Sequence, residues 1–269
     1  MNEGLRVARP FRVWLAVEVL FGLSALSSLV RFPDETATRF AWPIHPTVMA
    51  AVLGGLYLSL SPVLMLLFAA RRWAMIRVMV LPAAAFTTAE LVATLIHWDR
   101  FSVGTLPFNV WLASYVLPPP IYLIAYIWHQ RRATADEAAE PLPPRLRTVL
   151  LVIGAFLTAD SLFAFVDPAW FTKSFPWHLT PLTARVLAGW LLLVGTLLLS
   201  ISRENNRNRV RLASPFLLLL LPLFAIQTLR YHEEVDASSP RLWIAVVLFA
   251  VLGGTGAYLS RGSWRESLA

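Results

Sequence analysis

Eight stretches of this chain stay apolar for about twenty residues at a time, the length that crosses a bilayer core of about 30 Å. They run over 12–31, 47–70, 76–97, 108–128, 147–166, 182–201, 212–231 and 242–260. In hydrocarbon no water satisfies the backbone, so a spanning segment is either a helix or a strand of a closed barrel. Barrel strands alternate apolar and polar side chains, whereas these stretches are continuously apolar, so an all-α integral membrane protein is expected. Only 14% of the residues are charged, against about 25% in soluble domains.

The second half echoes the first. Phe40-Ala41-Trp42 followed by Pro46 returns as Phe175-Pro176-Trp177 followed by Pro181; His97 returns as His232 and Gly54 as Gly189. The expected architecture is therefore two tandem four-helix repeats, residues 1–132 and 147–269, joined by a polar, proline-rich cytoplasmic linker at 133–146. Four is even, so both copies enter the membrane from the same side, in the parallel arrangement. Arg6 to Arg12 ahead of an apolar run resemble a signal peptide, but that run corresponds to the internal fifth span, so a retained helix is expected.

Arginines set the orientation. One set of loops and termini carries Arg6, Arg9, Arg12, Arg71, Arg72, Arg77, Arg131, Arg132, Arg145, Arg147, Arg203, Arg207, Arg209, Arg211, Arg261 and Arg265. The alternate loops carry Arg31, Arg39, Arg100, Lys173, Arg230 and Arg241. The positive-inside bias predicts both termini on the cytoplasmic side of the plasma membrane. It also explains the net charge of +7 without a nucleic-acid partner.

Several chemistries are excluded. No cysteine means no disulfide, thiolate ligand or cysteine nucleophile. The only lysine, Lys173, lies in a loop, so no span offers a Schiff-base amine. Gly253-Gly254-Thr255-Gly256 lies inside a span with no strand before it and is no phosphate loop. No cofactor is expected.

Two disruptions mark the fourth spans of the copies: Pro118-Pro119-Pro120 and the glycine run at 253–256. Each proline removes an amide donor, so the carbonyls of Ser114, Tyr115 and Val116 are expected to lose their helical partners. Paired interruptions point to a binding site. The glycines read equally as a close helix contact.

Glu18, Glu90, Asp160 and Gln227 fall within apolar runs and are expected to face the bundle interior, because a charge at the bilayer centre costs about 2.5–3.5 kcal/mol or more. Glu90, Thr94 and His97 share one helical face. Candidate ligand-binding or proton-relay residues are Glu90, Thr94, His97, Asp99, Asp160, Gln227 and His232, with Pro118, Pro119 and Pro120 in the wall. His45, His97, His178 and His232 gather on the outer side, where metal or haem ligation competes with a simple interfacial preference; no strong metal motif is present, and no metal is expected.

The leading reading is a carrier or binding protein for a small solute or lipid, with a cavity opening outward between the repeats. Membrane lipid is the expected partner. The alternatives are an intramembrane lipid- or isoprenoid-modifying enzyme with a Glu90/His97 acid–base pair, and a non-catalytic subunit or assembly factor with partner membrane subunits; a non-enzyme is favoured. The absence of cysteine makes topology directly testable. Single cysteines replacing Arg72 or Arg203 are expected to react with an impermeant maleimide only from the cytoplasmic side, and those replacing Ser102 or Ser174 only from outside. The reverse pattern, or reaction of all four from one side, contradicts the assignment.

Overall fold

A computed structural model describes residues 5–133 and 140–261. The centre of the linker and Arg265 lie outside the described residues. Within them the chain is helical, with no strand beyond one isolated bridge between Arg6 and Arg72. Eight segments are long and apolar enough to span a membrane. They are α1 (Arg9–Leu29), α2 (Thr47–Ala69), α3 (Trp73–Ile96), a fourth span made of α4 (Leu106–Val116) and α5 (Pro118–Gln130), α6 (Pro144–Val166), α7 (Pro181–Glu204), α8 (Ser214–Arg230, prolonged by turns from Arg207) and α9 (Pro240–Ser260).

Local chemistry fixes the ends. Thr105 caps α4 by accepting from the Phe108 amide at 3.3 Å. Thr180 and Thr183 form a reciprocal capping box on α7. Asn205 ends α7 in the left-handed region, φ 47°. Two helix starts use distant side chains. His129 accepts from the Ala8 amide at 3.0 Å, just before α1. Glu234 accepts from the Val48 amide at 2.6 Å, in the first turn of α2.

The helices form two rows of neighbours: α1–α2–α8–α9 and α5–α3–α7–α6. Each row takes helices from both halves of the chain. α2 packs mainly on α1 and α8, and α3 on α5 and α7. Trp190 of α7 meets Tyr57 of α2 across the rows, ring centroids 5.0 Å apart.

Both expected disruptions are milder than their sequences imply. Between α4 and α5 only Leu117 leaves the regular helix, and its φ −78°, ψ −41° is still helical. The three prolines occupy the first turn of α5, and having no N–H they leave the carbonyls of Ser114, Tyr115 and Val116 at the end of α4 without helical donors, as expected. The span bends at one residue and does not part. In the last span there is no interruption: α9 is continuous through Gly253–Gly256. A Cβ on Gly256 would lie 2.9 Å from the Ser214 carbonyl and the Leu218 amide, whereas one on Gly254 would meet nothing within 4 Å. Gly256 thus lets α8 and α9 approach closely. The expectation of paired broken helices is corrected on this point.

Candidate functional site

A cleft of about 300 Å³ runs between α1, α2, α3 and α4–α5. One stripe of α1 forms its wall: Phe11, Leu15, Glu18, Gly22, Ala25 and Ser28, at intervals of three and four residues. Leu60 and Leu64 of α2 and Met79 and Ala83 of α3 supply apolar walls. The lining residues Ser24, Ser27, Arg39 and Leu106 are exposed, which sets the mouth at the end carrying the α1–α2 and α3–α4 connections. At that mouth Arg39 donates to Glu35 at 2.5 Å and lies 4.2 Å over the Phe32 ring.

Polar groups concentrate deeper in. Glu18 is 9% exposed, and its Oε1 has no hydrogen-bond partner. Tyr122 of α5 and Trp14 of α1 are its polar neighbours, although the Trp14 indole nitrogen is itself unpartnered. The hydroxyls of Tyr57 and Tyr115 share a hydrogen bond. Tyr115 stands against Trp111 and Phe86, and Tyr122 edge-on to Phe11. Tyr115 precedes the proline triplet and Tyr122 follows it, and their spacing of seven residues along a span that stays helical at Leu117 puts both on the face toward the cleft.

The predicted site residues lie elsewhere: the cleft belongs almost wholly to the first half, while the space between the halves is a separate, apolar pocket of about 450 Å³ between α3 and α6–α7, lined by Thr88, Ala89, Ser161 and Ala188. Glu90 is fully buried between α3 and α7, with both carboxylate oxygens unpartnered and Oε1 pressed on Gly189. Thr94 donates to the Glu90 carbonyl at 2.7 Å and accepts from the Trp111 indole at 2.9 Å, which ties α3 to α4. His97 meets the same helix as Glu90, further along: Nη1 of Arg185 on α7 donates to its Nε2 at 2.8 Å. The stripe Glu90, Thr94, His97 is one face of α3, but Glu90 and His97 are taken up by α7 and Thr94 by α4, and none lines the cleft.

The remaining candidates are dispersed. Asp160 accepts from the Trp170 indole at 3.0 Å on the outside of α6. Gln227 is buried with its Cγ against Gly55, its Oε1 unpartnered. Asp99 forms a surface ion pair with Arg100 at 3.2 Å, the local helix-end contact. His232, His45 and His178 are exposed. Among the described residues no group of three or more His, Asp or Glu side chains is placed to hold a metal ion. Pro118 and Pro119 are buried, and Pro120 is exposed.

Sequence reasoning overlooked Arg185, a guanidinium inside an apolar run, which also donates to the Phe165 carbonyl at 2.9 Å. It overlooked the tyrosines because a lone Tyr in a span reads as an interface anchor. It also overlooked the end-cluster at Glu204, which accepts from Arg77 at 2.8 and 2.6 Å and from Arg209 at 3.0 Å.

The His97 contact has a pH signature. Partial burial, and then the Arg185 charge, hold the imidazole below the usual histidine range, against a smaller opposing pull from Asp99. The folded protein keeps His97 neutral to accept from Arg185. On acidification the unfolded chain takes up this proton first, near the ordinary value of about 6.5. Its share of stability is thus present above about pH 6.5 and is lost as pH falls below it. His97→Gln keeps an acceptor and cannot titrate, so its melting temperature is expected to vary less than the wild type's between about pH 6.5 and 5. An unchanged slope contradicts the assignment.

Compared with known protein families, with curated proteins and with solved structures, the chain matches none.

Proposed function

We propose that the protein binds, and carries across or within the bilayer, a lipid-soluble amphiphile held in the cleft between α1, α2, α3 and α4–α5. The observation that carries this reading is the combination of an apolar wall with a small polar cluster of Glu18, Tyr57, Tyr115 and Tyr122. Ligand sites join predominantly apolar surface to a few placed polar groups, and about 300 Å³ is the lower end of their range. A polar cluster inside a membrane protein marks a functional path unless packing consumes it. Here packing leaves the Glu18 Oε1 unused.

The arginine bias supports an orientation with both termini in the cytoplasm of a plasma-membrane protein, which turns the mouth outward. The packing supports the doubled architecture. Advancing every helix by four spans converts the row α1–α2–α8–α9 into α6–α7–α3–α5, which is the other row. At the offset of 135 that pairs His97 with His232, Glu18 and Tyr57 correspond to Ile153 and Leu192; at the offset of 132 that pairs Ala125-Tyr126 with Ala257-Tyr258 in the last spans, Tyr115 and Tyr122 correspond to Val247 and Gly254. The second half carries no counterpart of the polar cluster, so the cleft is a specialisation of the first.

The test is saturable binding of an NBD-labelled dodecanol to the protein in phosphatidylcholine nanodiscs, relative to empty discs. Gly22 lines the cleft, and a Cβ there would lie 3.2 Å from Leu64 Cδ1. Gly22→Trp is therefore expected to fill the space and weaken binding by about ten-fold or more, while Leu20→Trp, on the exposed side of α1, leaves it unchanged. Equal binding by both variants, or no saturable binding by the wild type, contradicts the reading.

A further inference from the structure

We propose that Glu18 makes this cleft a site for lipid-soluble organic cations, molecules with an ammonium or quaternary nitrogen on an apolar body. This rests on the cleft reading above and specifies its ligand class. Glu18 is nine-tenths buried, lines the cleft and offers an oxygen that no protein donor reaches. A neutral ligand without a donor leaves that oxygen unmatched, and an anionic ligand brings no counter-charge to offset the cost of a carboxylate at this depth. A cation matches it.

The surroundings have the same preference. Tyr57, Tyr115, Tyr122, Phe86 and Trp111 line the cleft, and aromatic faces attract cations most strongly where water is absent. Among the described lining residues the one basic side chain is Arg39, at the mouth, whose charge is already engaged by Glu35 and the Phe32 ring. Among the described residues no cation lines the cleft at the depth of Glu18. Glu18 sits near the middle of α1, Arg9–Leu29, so a charge reaching it must travel with an apolar body.

The experiment displaces the NBD-dodecanol probe from nanodisc-held protein with three single-chain competitors: dodecyltrimethylammonium, dodecanol and dodecyl sulfate. The wild type is expected to release the probe to the cation at a concentration about ten-fold lower than to dodecanol. Glu18→Gln is expected to abolish that preference while still binding the probe and keeping its melting temperature; Glu18→Asp keeps the preference. A wild type that favours dodecanol or dodecyl sulfate, or a Glu18→Gln variant that still favours the cation, overturns the inference and leaves the cleft reading intact. No probe binding at all overturns both.

Discussion

The packing of α3 against α7 depends on one close contact: the Glu90 carboxylate occupies the space where any residue other than glycine would place a Cβ at position 189. The two helices run antiparallel, and three contacts mark their register. Arg77 meets Glu204 at one end, Glu90 meets Gly189 near the middle, and His97 meets Arg185 at the other end. The end contacts are polar and partly exposed, so each contributes modestly. The middle contact is steric and fully buried, and it admits one register. α3 belongs to the first half of the chain and α7 to the second, so this seam decides how the halves interleave.

The cleft inherits its geometry from that seam. Trp190, next to Gly189, is fully buried and packs on Tyr57 and on Phe86. Tyr57 in turn bonds Tyr115, and with Tyr122 and Glu18 these residues form the polar part of the cleft. Displacing α7 along α3 would move Trp190 and with it the tyrosine pair. The same principle recurs in the second seam, where Gly55 receives the Gln227 side chain and Glu234 caps α2. Small residues admit polar side chains at helix crossings, as expected where lipid offers no hydrophobic force to bring helices together.

The spans were legible because hydrocarbon imposes a length and a composition: seven of the eight read from sequence overlap continuous helical segments, and the fourth bends at one residue. Interruptions were misjudged because proline and glycine have two meanings. Proline breaks a helix interior but suits a first turn, and Gly253–Gly256 weakens a helix in isolation yet serves the approach of α8 to α9. The site was legible only in part. A helical face can be read from spacing, and Glu90, Thr94 and His97 do share one. Which neighbour each residue meets depends on the interleaving of the halves, which no local pattern encodes. Glu18 lay among the intramembrane acids, but the one polar group at helical spacing beside it is the Trp14 indole, which reads as an interface anchor; the tyrosines that share its cleft, Tyr57, Tyr115 and Tyr122, come from other spans.

A double-mutant cycle on positions 90 and 189, followed by thermal unfolding in detergent, tests the central contact most directly. Gly189→Ala alone is expected to destabilise by about 1–3 kcal/mol, the range of an overpacked core. In a Glu90→Ala background, where the carboxylate is gone, the same methyl group is expected to cost little, giving a coupling of about 1 kcal/mol or more. Equal penalties in both backgrounds would mean that Glu90 and Gly189 do not set the register of α3 on α7.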